Sequence, residues 1–277
     1  MGTVTVHNFS YGPLNPALAY AVSCLGAFLG LRCVTRARAY ADGRRASWLA
    51  LAAVSVGATG IWAMHFIAML GFTIPGQQIM YNVPETIASM LLAILVVGIG
   101  MFIVGYGDGG WVRLVTAGSV VGVGVAGMHY MGMAAMVMPD STRYDPVLVA
   151  LSILIAIVAG TAALWAGLRV RGVGATIGAS LIMGIAVEGM HYTGMAAMRV
   201  YPGSMSGTAG STALSFVLPL VVALTVVTFG IAMAISVALT EEEIAADAML
   251  ARRGAEIDAR WSAAARAPRH RSGRGRR

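Results

Sequence analysis

The chain has 277 residues, of which 58% are hydrophobic and only 11% are charged, with a formal net charge of +7. Soluble domains usually carry about 25% charged residues, so this composition excludes an ordinary soluble domain and indicates a membrane protein. The lipid bilayer is therefore the first expected partner, and no nucleic-acid partner is expected.

Seven apolar segments follow one another along the chain. A helix needs roughly 20 apolar residues to cross a bilayer. Short loops separate the segments, which makes consecutive helices antiparallel neighbours. The sequence predicts an all-α, polytopic bundle of seven transmembrane helices, covering residues 16–34, 48–71, 85–106, 114–138, 147–168, 174–198 and 214–239.

Arginine is unevenly distributed between the two sides of this bundle. Seventeen of the nineteen cationic residues lie on one side of the bundle, in or next to the loops after the first, third and fifth helices or in the tail. Only Arg143 and Arg199 lie on the other side. The positive-inside rule then predicts an outer N-terminus, a cytoplasmic C-terminus and a plasma-membrane location. The predicted parts are a short outer N-terminus (1–15), the membrane domain (16–239) and a basic cytoplasmic tail (241–277).

A ten-residue pattern occurs twice in the membrane part, as "GMHYMGMAAM" from Gly127 and as "GMHYTGMAAM" from Gly189. His65, His129 and His191 are separated by 64 and 62 residues, and each lies in the outer half of the second helix of a hairpin. The chain therefore reads as three pseudo-repeated two-helix units plus a seventh helix. The three histidine-bearing helices run in the same direction, so the histidines are expected to meet on a pseudo-threefold axis.

Methionines accompany each histidine at fixed offsets. At about 100° per residue, offsets of four and seven residues fall on the same helical stripe as the histidine. Imidazole and thioether together suit copper, because Cu(I) favours sulfur and Cu(II) favours imidazole nitrogen. Methionine also serves as plain packing in membrane cores. The candidate metal ligands are His65, His129, His191, Met64, Met69, Met128, Met133, Met136, Met190, Met195 and Met198.

Three further side chains stand beside the histidines. Tyr130 and Tyr192 directly follow two of them, and Glu188 precedes His191 by three residues. Each has the chemistry to orient a metal-bound histidine through a hydrogen bond. An interfacial aromatic or a protonated carboxyl group is the alternative reading of these residues.

The motif carries a resemblance to a known family. Met190–Thr193 spells Met-His-Tyr-Thr in full, and Met128–Met131 and Met64–Ile67 are relaxed copies. Over roughly residues 10–240 the sequence resembles the bacterial MHYT-domain family. The resemblance implies an integral membrane sensor module of the bacterial inner membrane, proposed to bind copper through Met, His and Tyr residues and to sense O2, CO or NO.

Members of that family often carry PAS, GGDEF or EAL signalling domains after the membrane part. The tail of residues 241–277 is too short for any of them, so the sequence predicts no catalytic activity and an output that depends on a separate signalling protein reached through the tail. The relaxed first motif predicts that His65 contributes less than the other two histidines.

Alternative functions stay open at this stage. The outward methionines would suit a copper carrier or insertase, with Met183 and Met233 as candidates to continue the path inward. Two histidines on parallel helices would suit haem. A purely structural membrane subunit needs none of this chemistry. Oligomeric state and the roles of Cys24 and Cys33 are left open by the sequence.

The orientation is directly testable. A reporter fused after Arg277 is expected to be active only in its cytoplasmic form, because the arginine-rich loops stay on that side of the membrane. Periplasmic reporter activity after Arg277 would reverse the orientation.

Overall fold

The computed structural model describes residues 3–107, 110–138, 141–203 and 210–237, together with 249–250, 253 and 255–257. Within these residues seven helices are long and apolar enough to cross a membrane. The predicted seven-helix fold is therefore confirmed, and each predicted segment matches one helix. The helices are α1 (Leu14–Ala39), α2 (Gly43–Met69), α3 (Val83–Gly105), α4 (Trp111–Ala134), α5 (Pro146–Arg169), α6 (Val173–Ala197) and α7 (Ser215–Val237).

The bundle lies in one compact unit, Met1–Val237, and Ala238–Arg277 forms a second unit. Most of the predicted tail, 241–277, lies outside the described residues, and its described positions are helical. The last two residues of the predicted seventh helix, 238–239, also lie outside them.

Side-chain caps set the starts of three helices. Asp42 accepts a hydrogen bond from the backbone of Arg44 at the start of α2 (3.0 Å). Asn82 and Asp145 cap α3 and α5 in the same way, and a proline follows each of them in the first helical turn. Such a side chain supplies an acceptor to backbone N–H groups that have no partner within the helix, and proline needs none there.

Helix α2 is not a regular α-helix throughout. Its middle section, Ser55–Ala63, is π-helical, and all nine of its residues are buried. Gly57 packs against the backbone of α3, and Gly60 packs against α1. A π-helical turn holds more residues than an α-helical turn and is often found beside functional sites. This section ends two residues before His65.

Among the described residues, five short strands lie at the end of the bundle at which α2, α4 and α6 finish, here called the histidine end. They were not predicted. They form a three-stranded antiparallel sheet in the order β2–β1–β5 and a separate β3–β4 pair. The strands are β1 (Met80–Tyr81), β2 (Met136–Val137), β3 (Ser141–Tyr144), β4 (Met198–Tyr201) and β5 (Ser211–Thr212).

These strands correct the predicted ends of two helices. The prediction continued them to residues 138 and 198, whereas α4 ends at Ala134 and α6 ends at Ala197. Met136 and Met198 therefore lie on strands, and the predicted helical stripe does not reach them. Their backbones pair with Tyr81 and Tyr144. Pro139 and Pro202 follow closely in the sequence, and proline disfavours helix in the residue before it.

Small residues allow the closest helix contacts. Gly118 and Gly122 lie one turn apart on α4 and face Gly160 and Ile157 on α5, where a Cβ at Gly122 would overlap the backbone of Ile157. Small residues spaced in this way let transmembrane helices approach closely and gain van der Waals contact.

Gly122→Ala is expected to destabilise the bundle by about 1–3 kcal/mol, because the added methyl group overlaps fixed backbone. Gly178→Ala on α6 is the matched control, since a Cβ there meets nothing within 4 Å. That variant is expected to be neutral or slightly stabilising. Thermal unfolding in detergent micelles measures both, and equal effects would contradict the packing described for Gly122.

Candidate metal centre

Three histidines meet inside the bundle. Nδ1 of His65 lies 2.9 Å from Nδ1 of His191 and 3.1 Å from Nδ1 of His129. The three rings contact one another edge to face, with centroids 4.9 to 5.1 Å apart. Each ring is at most 1% exposed. The structure thus brings together the three histidines that the repeat predicts to meet.

The glycines of the repeated motif make room for these rings. Gly132 stands three residues after His129, and a Cβ there would lie 2.5 Å from Nε2 of His65. Gly194 stands three residues after His191, and a Cβ there would overlap Nε2 of His129. His65 therefore packs against the glycine of the second unit, and His129 packs against the glycine of the third unit.

Hydrogen bonds within the triad join Nδ1 atoms, and two of its three Nε2 atoms have no partner among the described residues. Nε2 of His65 and Nε2 of His129 are buried without a partner among the described residues. A neutral imidazole has one N–H donor and one acceptor nitrogen. If Nε2 carries the proton in each ring, the Nδ1 lone pairs of His129 and His191 both face Nδ1 of His65, so lone pairs repel one another at the centre of the triad. A cation at that centre converts this repulsion into coordination.

The distances fit a metal ion after a small expansion. The two Nδ1 separations, 2.9 and 3.1 Å, are shorter than the roughly 3.3–3.6 Å expected between two nitrogens that each lie about 2.0–2.1 Å from one ion. The rings must therefore move outward by a few tenths of an ångström. Three buried nitrogens without a carboxylate suit a borderline or soft metal better than magnesium or calcium. The residues present fit such a group.

All eight candidate methionines are buried. Met69, Met128, Met133, Met136, Met190, Met195 and Met198 belong to one continuous apolar cluster that also holds Trp62 and Phe66. Met64 differs, because it packs in a separate small cluster with Ala19 of α1. The structure therefore places seven of these thioethers in one buried apolar cluster and packs Met64 against α1.

The strands at the histidine end close the site off from water. Tyr81 of β1 is 3% exposed, and its ring contacts Phe66, the neighbour of His65, with centroids 5.9 Å apart. Burial raises the pKa of the Tyr81 hydroxyl above its usual value. Val200 of β4 and Ile74 are also buried at this end. These residues lie between the triad and the loops outside the bundle.

The three side chains predicted to support the histidines have different surroundings. The hydroxyl of Tyr130 shares a hydrogen bond with Oγ of Ser152 (2.7 Å), which lies on α5. The hydroxyl of Tyr192 and Oε1 of Glu188 are buried without partners among the described residues. Phe9 packs on the ring of Tyr192, with centroids 5.2 Å apart. Glu188 and Tyr192 thus keep unused polar atoms next to His191.

Trp62 is a supporting residue that sequence reasoning missed. Its indole N–H donates to Oγ of Ser89 (3.0 Å) and to the carbonyl of Thr86 (3.2 Å), both on α3. Its ring contacts Phe66, with centroids 4.7 Å apart. The signal was present, because Trp62 precedes His65 by the three residues that separate Glu188 from His191. Trp62 fixes the helix that carries His65.

The two cysteines, both on α1, are free. Cys24 faces α6 at Gly184, where a Cβ would lie 2.6 Å from its sulfur. Cys33 is buried.

A family model, MHYT, described as a bacterial signalling protein N-terminal repeat, matches residues 59–117, 122–180 and 184–246. Each match contains one histidine of the triad, and together they cover most of the chain. The chain belongs to the MHYT family. The resemblance seen in the three motifs is therefore confirmed.

Curated signalling proteins share this membrane part. The chain is 41% identical over 207 residues to the bifunctional diguanylate cyclase/cyclic di-GMP phosphodiesterase MucR of Pseudomonas aeruginosa, covering 73% of this chain and 30% of that protein. It is 37% identical over 199 residues to the cyclic di-GMP phosphodiesterase NbdA of the same organism, covering 70% and 25%. It is 28% identical over 192 residues to the signaling protein YkoW of Bacillus subtilis, covering 65% and 23%.

The chain thus spans less than a third of the length of these relatives. No solved structure matches it.

The glycine contact predicts a specific effect on metal binding. Gly194→Ala is expected to weaken binding of any metal ion held by the triad at least tenfold, because the methyl group displaces the ring of His129. Gly189→Ala on the same helix is the control, since a Cβ there meets nothing within 4 Å. Competition with a calibrated Cu(I) chelator measures the affinity of each variant. Equal affinities would show that the ring of His129 does not depend on this contact.

Proposed function

We propose that the chain is a sensory membrane module that binds copper at His65, His129 and His191 and responds to a diatomic gas such as O2, CO or NO. The observation that carries the proposal is a group of three buried histidines whose ring nitrogens lie within 4.8 Å of one another. Membership of a family of bacterial signalling proteins supports a sensory role.

Copper, when bound, would supply an ion whose coordination changes with its redox state or with a gas ligand. The chain's own residues do the rest. The three imidazoles hold the ion, the glycine contacts fix the ring positions, and the strands at the histidine end exclude water. The buried methionines supply sulfur near the imidazoles, which favours Cu(I) over harder metals.

A change at the triad would reach the rest of the bundle through the contacts of the histidines. Expansion of the triad by a few tenths of an ångström presses His65 against Gly132 and His129 against Gly194. Because these rings already contact the backbone of Gly132 and Gly194, such a shift would press directly on α4 and α6. In this proposal the movement passes to a separate signalling protein through residues 241–277 on the cytoplasmic side of the inner membrane.

The haem alternative fits the geometry poorly. Two axial nitrogens must stand about 4 Å apart, at roughly 2 Å from the iron on each side, with the macrocycle between them. The observed Nδ1 atoms of His65 and His191 are 2.9 Å apart, and the rings are enclosed by helices.

A copper carrier remains the second candidate, because Met183 and Met101 line a cavity that begins at Met190. Met233, the other predicted member of such a path, is 60% exposed on the surface of α7. Uptake of Cu(I) into proteoliposomes tests this candidate. Uptake that Met183→Leu abolishes would replace the sensor proposal.

Copper is expected to raise the thermal stability of the purified protein through the triad. A ligand that binds only the folded state at a hundredfold excess over its Kd adds about 2.7 kcal/mol. His129→Ala and His191→Ala should each remove most of this gain. His65 is the histidine whose Nδ1 contacts both others, so we expect its loss to cost at least as much, against the expectation from its relaxed motif.

Two variants control this measurement. His7→Ala removes an exposed histidine outside the triad and should leave the copper effect unchanged. Met195→Leu keeps the volume and removes the sulfur, so it should weaken the copper effect while nearly preserving metal-free stability. A copper effect that survives the loss of all three histidines would mean binding elsewhere.

Gas binding is tested on the Cu(I)-loaded protein in nanodiscs. Addition of CO is expected to give a new infrared stretching band that the His129→Ala protein lacks. If no such band appears, the proposal that the triad binds copper is unaffected, and the proposal that the protein senses CO is wrong.

A further inference from the structure

A cavity that reaches the surface of the bundle at Ile182 of α6, which is 68% exposed, lies on the side of the triad away from the strands. Its volume is about 200 Å³, and helices α1 to α6 all contribute to its walls. It starts at Ile61, Val125 and Val187, which lie one helical turn before His65, His129 and His191. It therefore lies on the pseudo-threefold axis of the bundle, directly below the candidate metal centre. Metal binding by the three histidines does not require such a cavity.

The cavity is long and narrow. Ala156 and Leu168 of α5 both line it, so it extends about 18 Å along that helix at 1.5 Å per residue. Aliphatic side chains such as Val97, Val104 and Leu164 form most of the wall. This shape fits one extended hydrocarbon chain and not a compact ring.

The far end of the cavity is positively charged. Arg38, near the end of α1, and Arg45, near the start of α2 and next to the end of α3, line it there. We call this the arginine end. Both terminal nitrogens of Arg38 are buried and have no hydrogen-bond partner among the described residues. Arg45 donates to the carbonyl of Gly105, and its guanidinium lies 4.7 Å from the ring centroid of Tyr106.

A buried guanidinium without a partner is costly unless an anion joins it. A planar guanidinium also matches a carboxylate or phosphate through paired hydrogen bonds. The arginine end therefore suits an anionic head group, and the apolar cavity behind it suits a hydrocarbon chain of the same ligand.

We propose that the cavity binds a single-chain amphiphile with an anionic head group, a long-chain carboxylate or phosphate monoester. The head group lies between Arg38 and Arg45, and the chain extends along α5 towards Val125 and Val187. The binding site does not depend on copper. It does place the end of the ligand's chain one helical turn from each histidine.

The test uses the full chain in nanodiscs of zwitterionic phospholipid, with a dodecanoate that carries a photoreactive diazirine near the chain end. After irradiation, mass spectrometry of peptides locates the adducts. We expect them at cavity-lining positions of α5 and α6, such as Ala159 and Met183. Unlabelled dodecanoate or dodecyl phosphate should compete, and dodecanol should compete at least tenfold less well. Competition by only one of the two anions would identify the head group.

Three variants make the result decisive. Arg38→Gln combined with Arg45→Gln should reduce labelling at least tenfold, whereas Arg44→Gln, a solvent-exposed neighbour, should leave it unchanged. Ala163→Phe fills the cavity and should abolish labelling without lowering the melting temperature.

Two results would overturn the proposal. One is labelling confined to lipid-facing residues such as Leu151 and Leu154. The other is labelling in the cavity that is equal for dodecanol and dodecanoate and survives the double arginine variant. If Ala163→Phe does not fold, the comparison of Arg44→Gln with the double variant decides alone.

Discussion

Three imidazole rings must be kept in a membrane core with hardly any partner but one another, and much of the structure follows from this constraint. An unsatisfied polar group buried in a protein costs about 1–3 kcal/mol. Nε2 of His65 and Nε2 of His129 both carry that cost among the described residues. Gly132 and Gly194 bring the three helices close enough for the Nδ1 atoms to meet, and the strands at the histidine end keep water away. Such an arrangement costs stability at these Nε2 atoms, and the triad could hold a metal ion.

Much of this could be read from the sequence, because the bilayer simplifies the problem. Each span needs a long apolar stretch, and the loops are short, so seven antiparallel helices follow from length and composition. The near-equal spacing of His65, His129 and His191 then places them at one depth on helices of one direction. The repeat was a stronger guide to the site than any single motif, since one Met-His-Tyr-Thr run says nothing of a partner.

Other features were not predictable, for reasons that differ. Ends of helices depend on what the loops pair with, so the ladder between Tyr81 and Met136 was invisible until the loops after α2 and α4 were adjacent. The π-helical section of α2 depends on contacts of Gly57 and Gly60 with α3 and α1. The cavity is made by side chains of six helices, none of which is unusual in its own segment. Periodicity describes one helix at a time and cannot report these joint properties.

The three units are equivalent in sequence only approximately, and the differences indicate how the bundle can move. In the first unit Ala68 replaces the motif glycine, and Trp62 replaces Glu188 and ties α2 to α3 through Thr86 and Ser89. In the third unit the corresponding position offers the unpartnered carboxyl oxygen of Glu188 beside α1. His65 is therefore held on a fixed central helix, whereas His191 lies on a helix with unused polar atoms and more exposed surface. A change at the triad would be taken up by displacement of α6 against α1 and α4, with α2 as the fixed reference.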